Sequence, residues 1–400
     1  MTLNNIFTDR NIAAFTLVFM SVQFIYIEGM AISIPKVVFM AITPILLLIK
    51  SPKFSKAAIL GFLFLGVTVL INRALYPSTK TSTFYYTALF LCMFWLYYNL
   101  VYVNHSISID FFLQLIKVVI YAYAVCLLLQ QIFYLIGVSY IPIINLMGFP
   151  YYSSFKFNTL AIEPSHAARI LTVYFYAFLK LLEYQNGSSV SIPQLWRDHK
   201  FVIIAFLYTM LLMGSGTAFV GLALLSLYFL KLKYVVWVVV LGFSIYMIIP
   251  LIDYEPLNRA VAVFNTALLG DTEEMKIVDN SASSRVNIII DTFKYLDVTD
   301  INLWFGYGVD FKDGKSVIPA ITNYGLISYF LKLIFFFSCC FTGFFSLEVL
   351  FFILLLGMNV GNIAYGWAIL MVFTTLKYFK IQSNYYWKNL RSENKYENVI

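Results

Sequence analysis

The residues best suited to chemistry in this sequence lie within one short segment, Glu163-Pro164-Ser165-His166-Ala167-Ala168-Arg169. An acid, an imidazole and a guanidinium occupy every third position, so on one helix they fan over about 120° and can line one cavity. A carboxylate or an imidazole can take a proton from a hydroxyl group, and a guanidinium can bind phosphate oxygens without a metal ion. The segment therefore predicts acid–base chemistry on an anionic substrate.

The same segment is predicted to begin a helix. Pro164 suits the first turn, and the residue before a proline avoids helical geometry, so we expect Glu163 to cap the helix while free amides attract phosphate. Two structural alternatives stay open at this point. Glu163 and Arg169 can neutralise each other or reach the lipid headgroups, and His166 can be an interfacial histidine bonded to a backbone carbonyl.

Composition indicates a membrane protein. Of 400 residues, 61% are hydrophobic and 12% are charged, and the mean hydropathy is +0.81. Soluble proteins have about 25% charged residues, so an ordinary soluble enzyme is excluded. We interpret the net charge of +7 as a record of cytoplasmic loops and not as a nucleic-acid site. The cysteines lie in apolar runs and show neither a disulfide framework nor a zinc spacing.

Hydropathy predicts an all-α polytopic protein with about twelve transmembrane helices of roughly 20 residues each. The predicted spans are 11–28, 32–49, 57–72, 83–103, 111–138, 160–182, 200–213, 217–230, 234–252, 317–337, 341–357 and 360–377. The runs 200–213 and 217–230 form either a tight hairpin or one broken helix. The predicted regions are transmembrane residues 1–252, a large loop 253–316, transmembrane residues 317–378 and a tail at 379–400.

The distribution of basic residues sets the predicted orientation. With both termini in the cytoplasm, the short outer loops hold only Arg73, Lys80 and Lys156. Long loops cross regardless of charge, so 253–316 is predicted to be an outer, partly helical loop. Its Arg285 follows two serines at a predicted helix start and is a candidate anion-binding residue. The polar tail is predicted to be flexible.

A second turn, Gly214-Ser215-Gly216-Thr217, starts another helix at the predicted outer face. Ser215 and Gly216 can offer backbone amides to the same anion, although small residues also simply allow close packing of helices. The sequence contains no Asp-x-Asp, HExxH or P-loop pattern. Metal-dependent nucleotide chemistry is therefore disfavoured, and neither a cofactor nor a metal is expected.

This layout resembles the O-antigen and capsule repeat-unit polymerases, a family related to the O-antigen ligases. The matching features are Glu163-Pro164-Ser165 at the head of a central span, the turn at 214–217, the loop 253–316, and Gly306-Tyr307-Gly308 followed by Asn323-Tyr324-Gly325-Leu326-Ile327. Ligases often carry a histidine in or after the large loop, whereas this chain has none after His199. That difference favours the polymerases.

The resemblance implies a metal-independent glycosyltransferase of the bacterial inner membrane. Such an enzyme joins undecaprenyl-diphosphate-linked oligosaccharides at the periplasmic face, and the lipid diphosphate is the leaving group. Glu163 or His166 is then the catalytic base, and the substrate contacts are Arg169, Arg285, Ser165, Ser215, Gly216 and Tyr324. The expected partners are lipid-linked oligosaccharides, the lipid bilayer and a chain-length regulator protein, without nucleic acid.

Other function classes stay open beside this one. An O-antigen ligase would pass the glycan to a lipid A core. A flippase or another transporter would place charged groups near the middle of the membrane and would usually have short outer loops. A non-enzymatic assembly or sensor protein would use 253–316 as a ligand-binding domain.

Overall fold

The computed structural model describes residues 8–23, 33–50, 53–77, 81–137, 156–230, 297–308 and 317–397. Within these ranges every regular element is helical. The α-helices are α1 (Asp9–Ser21), α2 (Ile34–Lys50), α3 (Lys56–Leu75), α4 (Thr81–Tyr98), α5 (Ile109–Leu135), α6 (Pro164–Asn186), α7 (Ile192–Leu212), α8 (Gly216–Phe229), α9 (Ile301–Phe305), α10 (Val317–Cys340), α11 (Leu347–Leu356) and α12 (Ala364–Glu397). A π-helical turn, Asn99–Val103, extends α4. The all-α prediction is confirmed for the described residues.

Each predicted span except 234–252, which lies outside the described residues, overlaps one of these helices. In the described part of the chain, four helical stretches are long and apolar enough to cross a membrane: Lys56–Leu75, Thr81–Val103, Ile109–Leu135 and Ala320–Cys340. These stretches support a membrane protein, and the count of twelve spans stays a prediction. Most of the predicted loop 253–316, including Arg285, also lies outside the described residues.

The structure decides two local predictions, the form of the turn at Gly214 and the flexibility of the tail. Gly214 adopts a positive φ of 73° between α7 and α8, and the chain reverses there. Because Met210 of α7 faces Gly221 of α8, the two helices form a tight hairpin and not one broken helix. The predicted flexible tail is wrong as far as residue 397, since α12 continues as a helix through Glu397.

Helix α6 lies at the centre of the bundle, where it packs against α5, α7, α8 and α12. Apart from Arg169, every residue from His166 to Leu179 is buried. A helix that is apolar all round is buried on every side, as here. In contrast, α2 exposes a stripe of aliphatic side chains at helical spacing: Val38, Ile42, Ile45 and Ile49. Such a stripe is suited to contact with lipid.

Contacts between connecting segments define two ends of the bundle. At the end where α6 begins, called here the Glu163 end, the Gln23 amide donates to the Leu160 carbonyl at 2.7 Å. At the opposite end, called the Lys50 end, Lys50 pairs with Asp9 at 3.7 Å and Gln185 donates to Asp110 at 2.6 Å. Every catalytic residue predicted within 163–169 therefore lies at or near the Glu163 end.

The described part of the predicted loop docks at the Glu163 end through a close backbone junction. Gly306 and Gly325 have φ of 81° and 78°, and the Tyr307 amide donates to the Thr322 carbonyl at 2.7 Å. A Cβ on Gly306 would lie 2.5 Å from the Asn323 carbonyl oxygen. The two glycine motifs, which are separate in the sequence, therefore form one contact.

Side chains anchor this junction to the rest of the bundle. The Tyr76 hydroxyl, just after α3, donates to the Gly306 carbonyl at 2.6 Å and to Asn302 Oδ1 at 3.1 Å. The Asn302 amide and the Tyr307 hydroxyl both donate to Asp300 and lower the pKa of its carboxyl group below the usual value. Both hydrogen bonds therefore stabilise the carboxylate form of Asp300.

We expect Gly325→Ala to destabilise the protein, because an L-residue at this φ and ψ costs about 1–3 kcal/mol and the added Cβ would collide with the Trp304 backbone. Thermal unfolding of the purified protein in detergent measures the effect. Gly66→Ala in α3 is the matched control, since its Cβ meets nothing within 4 Å. Equal melting temperatures for the two variants would contradict the importance of this junction.

Candidate functional site

Glu163 and Pro164 set the start of α6. Glu163 is the N-cap residue with extended backbone angles (φ −133°, ψ 152°), and Pro164 takes the first helical position. The predicted capping position is therefore confirmed. The Glu163 carboxylate makes no hydrogen bond to the helix amides and accepts one from the Ser165 hydroxyl at 3.2 Å. This bond orients the carboxylate at the mouth of the site.

His166 lies behind this carboxylate. Its Nε2 is 3.7 Å from Glu163 Oε2, and its side chain is 6% exposed, compared with 44% for Glu163. The imidazole ring stacks on Tyr365, with ring centroids 4.3 Å apart and an angle of 29° between the planes. The acid is thus accessible while the imidazole is enclosed.

Arg169 completes the group through the same tyrosine. Its Nη1 donates to the Tyr365 hydroxyl at 2.5 Å, and the guanidinium carbon lies 5.9 Å from the ring centroid. Glu163 and Arg169 are both described and form no salt bridge with each other. The alternative that these two residues neutralise each other therefore does not apply.

Tyr365 is a site residue that the sequence did not indicate. It is the second residue of α12 and lies 196 positions from Arg169 along the chain. With 30 tyrosines in the sequence, no local signal distinguishes this one. Only the packing of α12 on α6 brings its ring between the imidazole and the guanidinium.

A cavity of about 30 Å³ opens beside His166. Its polar wall consists of Ser21, Gln23, Lys36, His166 and Tyr365. That volume and that lining suit an ordered water molecule. Glu163 and Arg169 are predicted to line one cavity with His166, but only His166 is part of this wall, and the other two contact wall residues from outside it.

Lys36 is a second residue that the sequence analysis missed. It is 2% exposed near the start of α2, and its Nζ donates to the Met20 carbonyl at 3.4 Å. Among the described residues it forms no ion pair, and buried Gln23 Nε2 has no hydrogen-bond partner there. The sequence signal that could have found it is a lysine within the predicted span 32–49, because placing a charge inside a membrane costs free energy and marks a candidate functional residue.

The described side chains give the site an excess of positive charge. Lys36, His166 and Arg169 carry basic groups, and Glu163 is the one acid among these four. Cations near a low-dielectric interior attract phosphate oxygens strongly, and a planar guanidinium can hold two of them. The arrangement can bind an anionic group and accept a proton at neighbouring positions.

Ser215 and Gly216 begin α8 at the same end of the bundle. Ser215 caps this helix with its carbonyl, which accepts from the Ala218 amide at 3.0 Å. Neither residue belongs to the described wall of the His166 cavity. The close-packing alternative finds support one turn further on, where a Cβ on Gly221 would collide with the Thr172 hydroxyl of α6.

Tyr324 lies at a different cavity, of about 10 Å³, together with Thr68, Thr87, Lys332 and Asn362. The sequence analysis also missed Lys332, which is buried within the predicted span 317–337. The structure thus separates Tyr324 from His166. Residues 361–367, however, contribute to both cavities, so the two sites are neighbours across the start of α12.

The chain was compared with models of protein families, with curated proteins and with solved structures. None of the three comparisons finds a match.

Proposed function

We propose that this protein polymerises lipid-diphosphate-linked oligosaccharide repeat units into a bacterial surface polysaccharide. The observation that carries the proposal is the group formed by Glu163, His166, Arg169 and Tyr365. It combines a proton acceptor with an anion-binding guanidinium at the end of the bundle where residues 297–308 dock. A glycosyl transfer from a lipid diphosphate requires both functions.

In the proposed reaction, a hydroxyl oxygen of one repeat unit attacks the anomeric carbon of another. The new carbon–oxygen bond forms as the bond from that carbon to the diphosphate oxygen breaks, and the lipid diphosphate leaves with the electron pair. The hydroxyl proton passes to the Glu163 carboxylate, which is the accessible base of the site. Arg169 stabilises the charge that develops on the diphosphate.

His166 then supports the base. Its Nε2 lies 3.7 Å from the carboxylate and, with the Ser165 hydroxyl, keeps Glu163 oriented toward the acceptor. Lys36 adds a second basic group next to His166. Arg285, outside the described residues, stays a proposed contact for the diphosphate, and Ser215, Gly216 and Tyr324 stay proposed contacts for the substrate.

The placement of the Glu163 end outside the cytoplasm is also part of the proposal. Its support is the positive-inside rule. Lysines concentrate toward the Lys50 end of the described bundle, where they include Lys50, Lys53, Lys56, Lys180, Lys377 and Lys380. Lipid-linked substrates would reach the Glu163 end along the bilayer, which the aliphatic stripe on α2 faces.

A flippase for the same lipid-linked glycan is the second candidate. The observation that favours it is Lys332, a buried lysine in the middle part of the span Ala320–Cys340. Charged groups at such depth are typical of transport pathways. A transporter would move the substrate without changing the length of its glycan.

One experiment separates these functions. The purified full-length protein is reconstituted in vesicles with lipid-linked repeat units, and the glycans are then separated by length. We expect longer lipid-linked glycans, because each transfer adds one unit. Transbilayer movement without elongation would instead indicate a flippase, and transfer to an added lipid A core would indicate a ligase.

The sidedness of the site is measured in intact cells that express the protein. Val298→Cys, at an exposed position of the docked segment, should react with a membrane-impermeant maleimide from outside in a background without the native cysteines. Lys53→Cys, at the opposite end, should react only after permeabilisation. The reverse pattern would rule out a polymerase that works at the outer face.

A further inference from the structure

The turn at residues 357–363 connects α11 to α12 and ends two residues before Tyr365. Gly357, Met358 and Gly361 in this turn have φ of 60°, 55° and 55°. For methionine such a φ is unfavourable, so the conformation persists only where surrounding contacts hold it. The position of Tyr365 therefore depends on what anchors this turn.

Neutral hydrogen bonds hold several points of the turn. The Tyr329 hydroxyl donates to the Met358 carbonyl at 3.2 Å, and the Thr87 hydroxyl donates to Asn362 Oδ1 at 2.9 Å. The Trp367 indole donates to the Gly361 carbonyl at 3.0 Å. Each of these bonds lies between a neutral donor and a neutral acceptor.

Lys332 of α10 supplies an anchor of a different kind. Its Nζ donates to Asn359 Oδ1 at 2.6 Å, and both residues are buried. The ammonium lies 5.6–6.0 Å from the ring centroids of Phe64, Tyr324 and Phe336. When Lys332 is protonated, this bond is charge-assisted and stronger than a neutral one, and the aromatic faces stabilise the cation. This contact is therefore suited to fix the turn most firmly.

We propose that Lys332 is a positioning residue for the candidate active site. Its bond to Asn359 holds the turn so that Tyr365 stays stacked on His166 and bonded to Arg169. The catalytic part of this inference rests on the proposed polymerase function, whereas the structural part does not. A buried cation is costly in a membrane span, and this role would explain why a lysine occupies the position.

The test follows the position of Tyr365 without using activity. The four native cysteines of the full-length chain are replaced, and His166→Cys and Tyr365→Cys are introduced. A short bis-methanethiosulfonate reagent then cross-links the two new cysteines in membranes. The two new cysteines remove the direct contacts of Tyr365 with His166 and Arg169. The rate of cross-linking therefore reports how well the turn alone holds position 365 next to position 166. We expect Lys332→Met to lower the initial cross-linking rate roughly tenfold, as for loss of one charge-assisted hydrogen bond.

Further variants separate positioning from a general loss of folding. Asn359→Leu should lower the rate as Lys332→Met does, and the double variant should be no worse than either. Asn359→Asp should keep the rate, because a carboxylate also accepts the bond. Lys377→Met is the matched control, since Lys377 donates to the Ser338 carbonyl at 2.8 Å and does not touch the turn.

Normal cross-linking in Lys332→Met would overturn the proposal. If Lys332→Met does not accumulate in the membrane, the cross-linking rate of Asn359→Ser is measured instead, with Lys332 in place. Normal cross-linking in that variant would overturn the proposal in the same way. In the protein without the introduced cysteines, Lys332→Met should also lower the rate of glycan elongation at least about tenfold, because small displacements of catalytic groups lower the rate strongly. If cross-linking falls while even the wild-type protein elongates nothing, the positioning role stands and the polymerase function fails.

Discussion

Glu163→Gln is expected to lower the rate of glycan elongation about 10²–10⁴-fold, the range for loss of a general base. Glutamine keeps the size of the side chain, and its carbonyl oxygen can still accept the bond from the Ser165 hydroxyl at 3.2 Å. The variant therefore removes the proton acceptor with little change in local structure. The measurement is the rate of lengthening of lipid-linked glycans by reconstituted protein.

Glu183→Gln is the matched control for this variant. Glu183 lies on the same helix at the opposite end and pairs with Lys180 at 2.8 Å. We expect its elongation rate to stay near that of the wild type. A rate within about threefold of the wild type for Glu163→Gln would contradict the assignment. A much larger loss in His166→Asn than in Glu163→Gln would transfer the role of base to the histidine.

The pH dependence gives a second readout of the same residue. A carboxylate base acts only in its ionised form, so activity of the wild type should fall at acidic pH. In Glu163→Gln this acidic limb should disappear from the profile of kcat/KM. An unchanged acidic limb in the variant would show that another group controls it.

Arg169→Met is expected to reduce elongation about 10²–10³-fold, the effect typical of removing one group that stabilises developing charge. Methionine keeps an unbranched chain and removes both the guanidinium and its bond to the Tyr365 hydroxyl. Arg169→Lys should recover only part of the activity, because a point charge lacks the planar fork that holds two oxygens. Steady-state rates at varied concentrations of lipid-linked donor measure these effects.

Two controls separate the role of Arg169 from general electrostatics. Arg73→Met removes a cation at the same end of the bundle, where Arg73 donates to the Pro77 carbonyl at 3.0 Å. We expect little change in its rate at moderate ionic strength, since exposed charges are screened. Tyr365→Phe keeps the ring stacked on His166 and should show a smaller loss than Arg169→Met. Equal losses in Arg73→Met and Arg169→Met would indicate nonspecific attraction only.

Much of the helical architecture could be predicted because it depends on local composition. Long apolar runs must form helices in a membrane, since their backbone groups have no water to bond. The predicted spans 57–72 and 111–138 accordingly coincide with α3 and α5. Hydropathy could not decide between a hairpin and a broken helix at Gly214, because both place the same residues in lipid. The packing of α7 beside α8 decided it.

The candidate site could be predicted only where its members are neighbours in sequence. The spacing of Glu163, His166 and Arg169 follows from helical geometry, and Pro164 indicates where the helix begins. Tyr365 and Asn359 contact residues that are far away along the chain, so no periodicity reveals them. Lys36 and Lys332 were visible as lysines within apolar runs, but what they contact depends on how the helices pack.

The sequence by itself indicated a helical membrane protein with an acid, an imidazole and a guanidinium at the head of one helix. Those properties follow from hydrophobicity and from the 3.6-residue repeat, which act over one or two turns of chain. Only the tertiary structure decided that Tyr365 joins His166 to Arg169, that Gly306 packs against Gly325, and that Tyr324 belongs to a separate cavity. These contacts depend on side chains from distant segments meeting at close range, and the amino-acid pattern of one segment holds no record of its neighbours in space.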